Sequence, residues 1–116
     1  MKNLQWEAIC EIRNAIVGNR RQKANFIVMG IIHHLTTIIR APASPDGLKR
    51  DAITLMTSLS KGSGNNIIAM CDYGAYQIII DVLMDSRDQL LLSALRCMLS
   101  IISSIHANHS TQAGMF

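Results

Sequence analysis

Apolar residues recur at intervals of three and four along most of this chain. That spacing places them on one face of an α-helix. The first such stripe ends before Gly18, and glycine is the preferred residue just beyond a helix. The pattern predicts helices over residues 3–17, 21–29, 31–40, 46–60, 65–73, 75–84 and 89–105. The remaining tail, residues 106–116, is polar and rich in small residues, and we expect it to fray.

The pattern also repeats itself. Gly18 and Gly30 stand twelve residues apart, as do Gly62 and Gly74, and a shift of 44 residues superimposes the two pairs. A third, partial copy follows at a spacing of 42, and its two missing residues fall in the proline-containing loop 41–45. We therefore predict the third helix of a partial unit over 1–18, whole units over 19–62 and 63–105, and a tail over 106–116.

Each predicted unit holds a short helix, a glycine turn, a medium helix, a loop and a long helix. A unit of about 42 residues has the length of armadillo and HEAT repeats, and the short first helix with its sharp turn favours the armadillo type. Such a unit stacks on its neighbours because it cannot bury its apolar face alone. We predict an all-α fold, an armadillo-type α-solenoid that forms a right-handed superhelix of about two and a third repeats.

Composition narrows the class of function. The chain is 49% hydrophobic but only 4% aromatic, a balance that suits helix packing and excludes a disordered chain. A net charge of +3 gives a weak preference for acidic partners and no nucleic-acid signature. Cys10, Cys71 and Cys97 lack the CxxC spacing and lie in apolar surroundings. We expect reduced core thiols in an intracellular protein.

No membrane partner is expected. The longest uncharged apolar stretch, residues 24–39, is sixteen residues long, which is too short to span a bilayer. The amino-terminal segment also lacks the apolar core of a secretory signal. These features predict a location in the cytoplasm and nucleus.

Candidate catalytic and metal-binding residues do not form a constellation. His33 and His34 are adjacent and point about 100° apart on a helix, so we expect one to pack at the helix edge and the other to be solvated. His106 and His109 have no further ligand nearby. The glycine-rich segment 61–66 lacks the Gly-Lys-Ser/Thr ending of a phosphate loop. The sequence predicts no enzyme, no metal and no cofactor.

The run from Asn14 to Gly30, NAIVGNRRQKANFIVMG, resembles one known family. It is similar to the first recognisable armadillo unit of the armadillo scaffold subunits of the CTLH (GID-type) E3 ubiquitin ligase. The most specific part is the Gln-Lys-Ala-Asn run at 22–25, directly after Gly-Asn at 18–19. Elements at 48–49, 64–66 and 95–97 continue the similarity, which covers roughly residues 8–104 and corresponds to the amino-terminal repeats of the family.

The resemblance implies a non-catalytic scaffold whose partners are the protein subunits of an E3 ubiquitin ligase. In that family the armadillo protein holds the substrate receptor against a RING-containing core and so supports proteasomal degradation. Family members are several times longer than this chain. Armadillo units often place a proline early in the second helix, where this chain has His33 and Gln77. An unrelated armadillo adaptor, catenin-like or importin-like, is the alternative.

In armadillo solenoids the third helices line a concave groove. Importin-like proteins repeat Trp there and, four residues on, Asn, which together bind a basic peptide. The Trp positions correspond to Cys10, Thr54 and Arg96 in this chain, so a basic-peptide carrier is disfavoured. Polar residues on these faces either bind a protein segment or form an ordinary hydrated face; they are Glu11, Asn14, Thr54, Ser58, Arg96 and Ser100.

Two surface features complete the predictions. Arg20, Arg21 and Lys23 form a basic cluster, which is expected to be solvated or to meet an acidic partner or phosphates. The first and last long helices carry many apolar residues without a polar cap. In the last helix these candidates for an exposed end are Leu90, Leu91, Leu92, Leu95, Leu99 and Ile102. The chain is therefore a fragment of a longer solenoid, docks on a partner, or self-associates through its uncapped ends.

Overall fold

The structure, a computed structural model, describes residues 4–61, 64–85 and 88–114, and the side chains of 4–61, 65–85 and 90–106. These residues form helices and no strand. The helices are α1 (Leu4–Ile16), α2 (Arg20–Val28), α3 (Ile31–Arg40), α4 (Asp46–Ser60), α5 (Gly64–Asp72), α6 (Ala75–Asp85) and α7 (Asp88–Gly114). The predicted all-α class is confirmed.

The last helix is longer than the hydrophobic pattern predicts. It continues to Gly114, whereas the pattern ends it at Ile105. Neither proline nor glycine occurs between 106 and 113, so no residue there stops a helix that has already formed. Apolar periodicity marks only the packed part of a helix, and α7 extends beyond that part.

The turns at Gly30 and Gly74 have the same backbone geometry. Gly30 and Gly74 both have left-handed backbones, with φ of 93° and 92°. The amide of Gly30 donates to Ile27 at 3.1 Å, and that of Gly74 donates to Cys71 at 3.0 Å. These bonds stand 44 residues apart, so the two turns share one backbone geometry at the spacing of the predicted repeat. Gly62 lies outside the described residues.

Equivalent helices of successive units lie against each other. The long helix α4 packs between α1 and α7, while α2 contacts α5 and α3 contacts α6. The buried apolar side chains of the described residues join one core. In α4 the buried residues occupy more than one face and are Leu48, Lys49, Ala52, Ile53, Leu55, Met56, Leu59 and Ser60. Helix α4 is therefore the centre of the fold.

Polar contacts fix how neighbouring units meet. Between α1 and α4, the indole of Trp6 donates to Asp51 at 2.6 Å, and Arg13 lies 3.8 Å from the same carboxylate. Between α3 and α6, Arg40 donates to Asp81 at 3.1 Å. Hydrogen bonds from Gln77 and Arg40, together with the Arg40 charge, hold the pKa of Asp81 below its usual range.

Within the described ranges no single helix is long and apolar enough to cross a membrane. The pair Asn65–Asp72 and Ala75–Asp85, bent by 62°, passes that test by length and composition, as core helices of soluble proteins also do. Its apolar residues include much of the buried core, such as Ile67, Met70 and Ile79.

Candidate protein-binding surface

The six predicted binding residues lie on the long helices α1, α4 and α7. These helices follow one another across the molecule because α4 packs between the other two. Glu11, Asn14 and Arg96 are exposed. Thr54, Ser58 and Ser100 are half-buried. The six positions therefore differ in how much surface they offer to a partner.

One row of equivalent positions runs along the outside of the long helices. Thr54 and Arg96 are 42 residues apart in the repeat, and Cys10 is their counterpart in α1. Cys10 and Arg96 are exposed, and Thr54 is half-buried. The Thr54 hydroxyl donates to the Arg50 carbonyl at 2.9 Å. Its proton is therefore already bonded within α4. We call Cys10, Thr54 and Arg96 the outer row.

The second row of equivalent positions consists of Asn14, which is exposed, and Ser58 and Ser100, which are half-buried. The Ser100 hydroxyl is 2.6 Å from that of Ser60, a residue with no exposed surface. Ser104 donates to the Ser60 carbonyl at 2.8 Å. Ser100 therefore takes part in the packing of α7 on α4, a role that sequence spacing alone did not reveal.

Glu11 occupies a third kind of position. Its repeat counterparts are Leu55 and Cys97, which have no exposed surface. In α4 and α7 this position belongs to the core, whereas in α1 it carries a carboxylate and is exposed. The outer face of α1 thus differs in charge from the corresponding faces of the following helices.

The basic cluster is only partly solvated. Arg20 and Arg21 are exposed, as expected, but Lys23 is buried, so that expectation is wrong for this residue. Burial, Lys61 and Arg20 lower the pKa of Lys23. At the same helix end, the Asn19 side chain accepts from the amide of Gln22 at 3.0 Å and caps α2. The Gly-Asn element of the resemblance is therefore a structural turn.

The three cysteines differ in their surroundings, and all three are free thiols. Cys97 is buried, and burial raises its pKa to about 11. Cys71 is half-buried, and burial together with Asp72 raises its pKa. Cys10 is exposed, so the prediction of a core thiol is wrong there. It lies on the outer row of α1, where no core packs against it.

The histidine pair does not adopt the expected arrangement. His33 and His34 are both exposed, although one was expected to pack at the helix edge. Their ring centroids are 6.1 Å apart and the rings are inclined by 64°. In the part of the chain that the structure describes, no group of three His, Cys, Asp or Glu side chains can hold a metal ion. The side chain of His109 lies outside that part.

Helix α7 carries two apolar stripes. One packs into the core through Leu90, Ala94, Cys97 and Ile101. Leu90 was expected at an exposed end, and the structure buries it instead, with 4% of its surface exposed. The other stripe is 43% to 64% exposed and consists of Leu92, Leu95, Leu99, Ile102 and Ile105. We call this second set the α7 stripe.

Several known proteins are similar to this chain. Armadillo repeat-containing protein 8 of Xenopus laevis is 30% identical over 98 residues, which are 84% of this chain. The proteins of the same name from Mus musculus and Danio rerio are 28% and 29% identical over the same length. No protein-family model matches the chain.

The matched region is 14% to 15% of the length of these relatives. The similarity nevertheless covers most of this chain and extends through its repeated glycine turns. The predicted resemblance is therefore confirmed, and the relatives support an armadillo-repeat protein.

Proposed function

We propose that this armadillo-repeat chain is a non-catalytic scaffold or adaptor in a multi-subunit E3 ubiquitin ligase of the CTLH (GID) type. It supports proteasome-dependent degradation by helping to position the substrate receptor, in the cytoplasm and nucleus. The observation that carries the proposal is the similarity to armadillo repeat-containing protein 8 over 84% of the chain.

The arrangement of polar groups is consistent with binding rather than catalysis. The exposed residues of the outer row and of α1 are spread over neighbouring helices instead of converging on one reacting atom. A catalytic site needs a nucleophile, a base and an orienting group within hydrogen-bond reach of each other. Extended surfaces of this kind are what helical repeat proteins use to bind partners.

Within this surface Arg96 is the residue best placed to contact a partner. It is exposed, it lies on the outer row, and its counterparts in α1 and α4 are uncharged. Arginine is enriched at the energetic centres of protein interfaces because its planar group donates several hydrogen bonds. We therefore assign Arg96 to the partner-binding face, with the exposed Asn14 at its edge.

The test is affinity capture of the tagged full chain from cells, followed by identification of bound proteins by mass spectrometry. We expect RING-containing and CTLH-domain ligase subunits among them. The Arg96→Glu variant should lower their recovery at least about fivefold, as expected for a central interface residue. Arg21→Glu is the matched control, since Arg21 is also exposed but lies on α2.

Two results would contradict the proposal. If circular dichroism shows that the chain is folded but it captures no ligase subunit, the chain is not sufficient for this scaffold role. Capture of importin or catenin partners in their place would favour the unrelated adaptor. Equal recovery by the Arg96→Glu and Arg21→Glu variants would exclude Arg96 from the binding face while leaving the ligase assignment intact.

A further inference from the structure

Lys23 of α2 is a buried cation without a counter-charge. Only 6% of its surface is exposed. Within the part of the chain that the structure describes, its side chain forms no hydrogen bond and no ion pair. Burial lowers its pKa, and the cations of Lys61 and Arg20 lower it further. An ammonium group that loses water and meets only like charge is unfavourable, so this arrangement calls for an anion.

The three cations come from elements that meet at one junction. Lys61 caps the carboxyl end of α4, and α5 begins just beyond it, at Gly64. Helix α5 packs against α2, which begins at Arg20. The chain therefore brings Lys61 to the amino-terminal end of α2. We call Arg20, Lys23 and Lys61 the basic junction.

The segments that form the basic junction contain no acidic residue. No aspartate or glutamate occurs in residues 12–45, which include α2 and α3, or in residues 52–71, which include most of α4 and α5. By contrast, Arg40 in α3 lies 3.1 Å from the carboxylate of Asp81. The basic junction thus has no carboxylate of its own segments to balance its charge.

The carbonyls at the end of α4 do not supply the missing partner. The Thr57 carbonyl accepts from the Ser60 hydroxyl at 2.6 Å. The Ser58 carbonyl accepts from the Lys61 amide at 3.2 Å. The Ser60 carbonyl accepts from the Ser104 hydroxyl at 2.8 Å. These acceptors already have donors, so the cations of the basic junction are left for an external acceptor.

The amino end of α2 adds two donors. The Asn19 side chain accepts from the Gln22 amide, and the Asn19 carbonyl accepts from the Lys23 amide. The amides of Arg20 and Arg21 have no acceptor among the described residues. A helical side chain leans toward the amino end of its helix, so the Lys23 stem runs in that direction. Free amides and cations thus meet at one helix end, the combination that holds phosphate groups in proteins.

We propose that the basic junction binds a phosphoryl group, held by the side chains of Arg20, Lys23 and Lys61 and by the free amides of α2. A compact, multiply charged anion suits this place, because a flat acidic surface would not reach the almost fully buried Lys23. Free phosphate and a phosphorylated side chain of a partner carry the same oxygen acceptors. The inference goes beyond the proposed scaffold role and does not rest on it.

The first test is a titration of the full chain with inorganic phosphate, followed by ¹H–¹⁵N NMR at constant ionic strength. We expect saturable shifts of the Arg20 and Arg21 amide signals. Lys23→Met should raise the dissociation constant at least about tenfold, because it removes a charged donor and keeps an apolar stem in the same space. Lys49→Met is the matched control, since Lys49 is 7% exposed but lies near the opposite end of α4 from Lys61.

The second test identifies the source of the phosphoryl group. The probe is a short peptide in which one phosphoserine is flanked by glycines. Saturation of the same two amide signals by this peptide shows that the basic junction admits a phosphorylated side chain. Binding of inorganic phosphate without the peptide restricts the site to the free anion. The unphosphorylated peptide should leave the signals unchanged.

Two results would overturn the proposal. Shifts that grow linearly with phosphate and never saturate indicate general attraction to a positively charged chain. Equal affinities of Lys23→Met and Lys49→Met would remove Lys23 from the site. Circular dichroism shows whether each variant is folded.

Lys61→Met keeps the proposal testable if Lys23→Met does not fold. Lys61 is exposed, so its replacement leaves the core intact. We expect this variant to bind inorganic phosphate about threefold more weakly, as for the loss of one exposed charge contact. An affinity equal to that of the unmodified chain would contradict the assignment of the basic junction.

Discussion

Thr36 in α3 has a hydroxyl that is buried without a hydrogen bond. Its neighbour Thr37 instead donates to the His33 carbonyl at 3.0 Å. A buried polar group without a partner loses its hydrogen bonds to water and forms none with the protein to replace them. We therefore expect Thr36→Val to raise the free energy of unfolding by about 1 kcal/mol in urea denaturation. Thr37→Val is the control and should change stability by less than about 0.5 kcal/mol; a loss of stability in Thr36→Val would contradict the expectation.

Cys97 makes the stability of the fold sensitive to alkali. Burial raises its pKa to about 11, so the folded chain keeps this proton at pH values where the unfolded chain has lost it. The unfolded chain then binds fewer protons, and stability falls as pH rises. Between pH 9 and 11 we expect a loss of about 2 kcal/mol from this thiol. Urea denaturation across that pH range measures it.

Cys97→Ala is the matched control for this alkaline loss. Lysines and tyrosines also titrate above pH 9, so the informative quantity is the difference between the two proteins. We expect the gap in unfolding free energy between them to narrow as pH rises. Parallel pH profiles would show that the Cys97 thiol ionises as readily in the folded chain as in the unfolded one.

At the residue scale, the apolar pattern predicted burial well and polar contacts poorly. The three- and four-residue apolar spacing within the predicted helix 46–60 includes Leu48, Ala52 and Leu59, and all three are buried. It gave no sign that Lys23 is buried or that Ser100 bonds to Ser60. Those outcomes depend on the angle at which two helices meet, and that angle is set by contacts far apart in the chain.

Gly47 of α4 lies against the Trp6 ring of α1. A Cβ built on Gly47 would lie 2.8 Å and 2.9 Å from two ring carbons of Trp6. The ring cannot move freely, since its indole is bonded to Asp51. Gly47→Ala gains helix propensity but overpacks this contact, and overpacking outweighs it. We expect a net loss of about 1 kcal/mol, measured by urea denaturation.

A double-mutant cycle provides the control for Gly47. In a Trp6→Ala background the clash is absent, so the same glycine substitution should become neutral or stabilising by about 0.5 kcal/mol. Destabilisation of equal size in both backgrounds would show that the tryptophan ring is not the cause.

Element boundaries were predictable wherever a local signal ends the helix. Gly30, Gly74 and the prolines of the 41–45 loop mark turns by their own chemistry. The end of α7 was not predictable in this way, because residues 106–113 are compatible with a helix and carry no apolar stripe. The repeat bounds 19–62 and 63–105 remain predictions.

At the scale of the whole molecule, α4 holds the units together. Leu55 has no exposed surface, and its helix contacts both neighbouring long helices. Leu55→Ala should lower the free energy of unfolding by about 2–5 kcal/mol, the range for truncation of a buried leucine. Hydrogen exchange should show loss of protection in all helices together, since α4 is shared by the whole core.

Trp6→Ala is the comparison for that experiment. Trp6 belongs to α1 and contacts α4 from one side, so its loss should release protection mainly in α1 and α2. If Leu55→Ala affected α4 alone, the units would be independently stable, contrary to the expectation for so short an array.

Sequence reasoning could anticipate the all-helical class and the kind of protein, but not which surface contacts which partner. The Gln-Lys-Ala-Asn run and the glycine spacing carried the resemblance, and the relatives bear it out. The surface residues have no such signature, because a partner recognises the combined face of several helices rather than a run of sequence.

The two glycine turns, built with the same hydrogen bonds 44 residues apart, have a consequence for how such a chain can evolve. Duplication of one entire unit would reproduce both of its junctions, so the array can grow or shrink by whole modules. An insertion of one or two residues inside a helix would instead rotate every later side chain away from its neighbour. The loop at 41–45, where the units differ by two residues, is the place where the gene can change length at little cost.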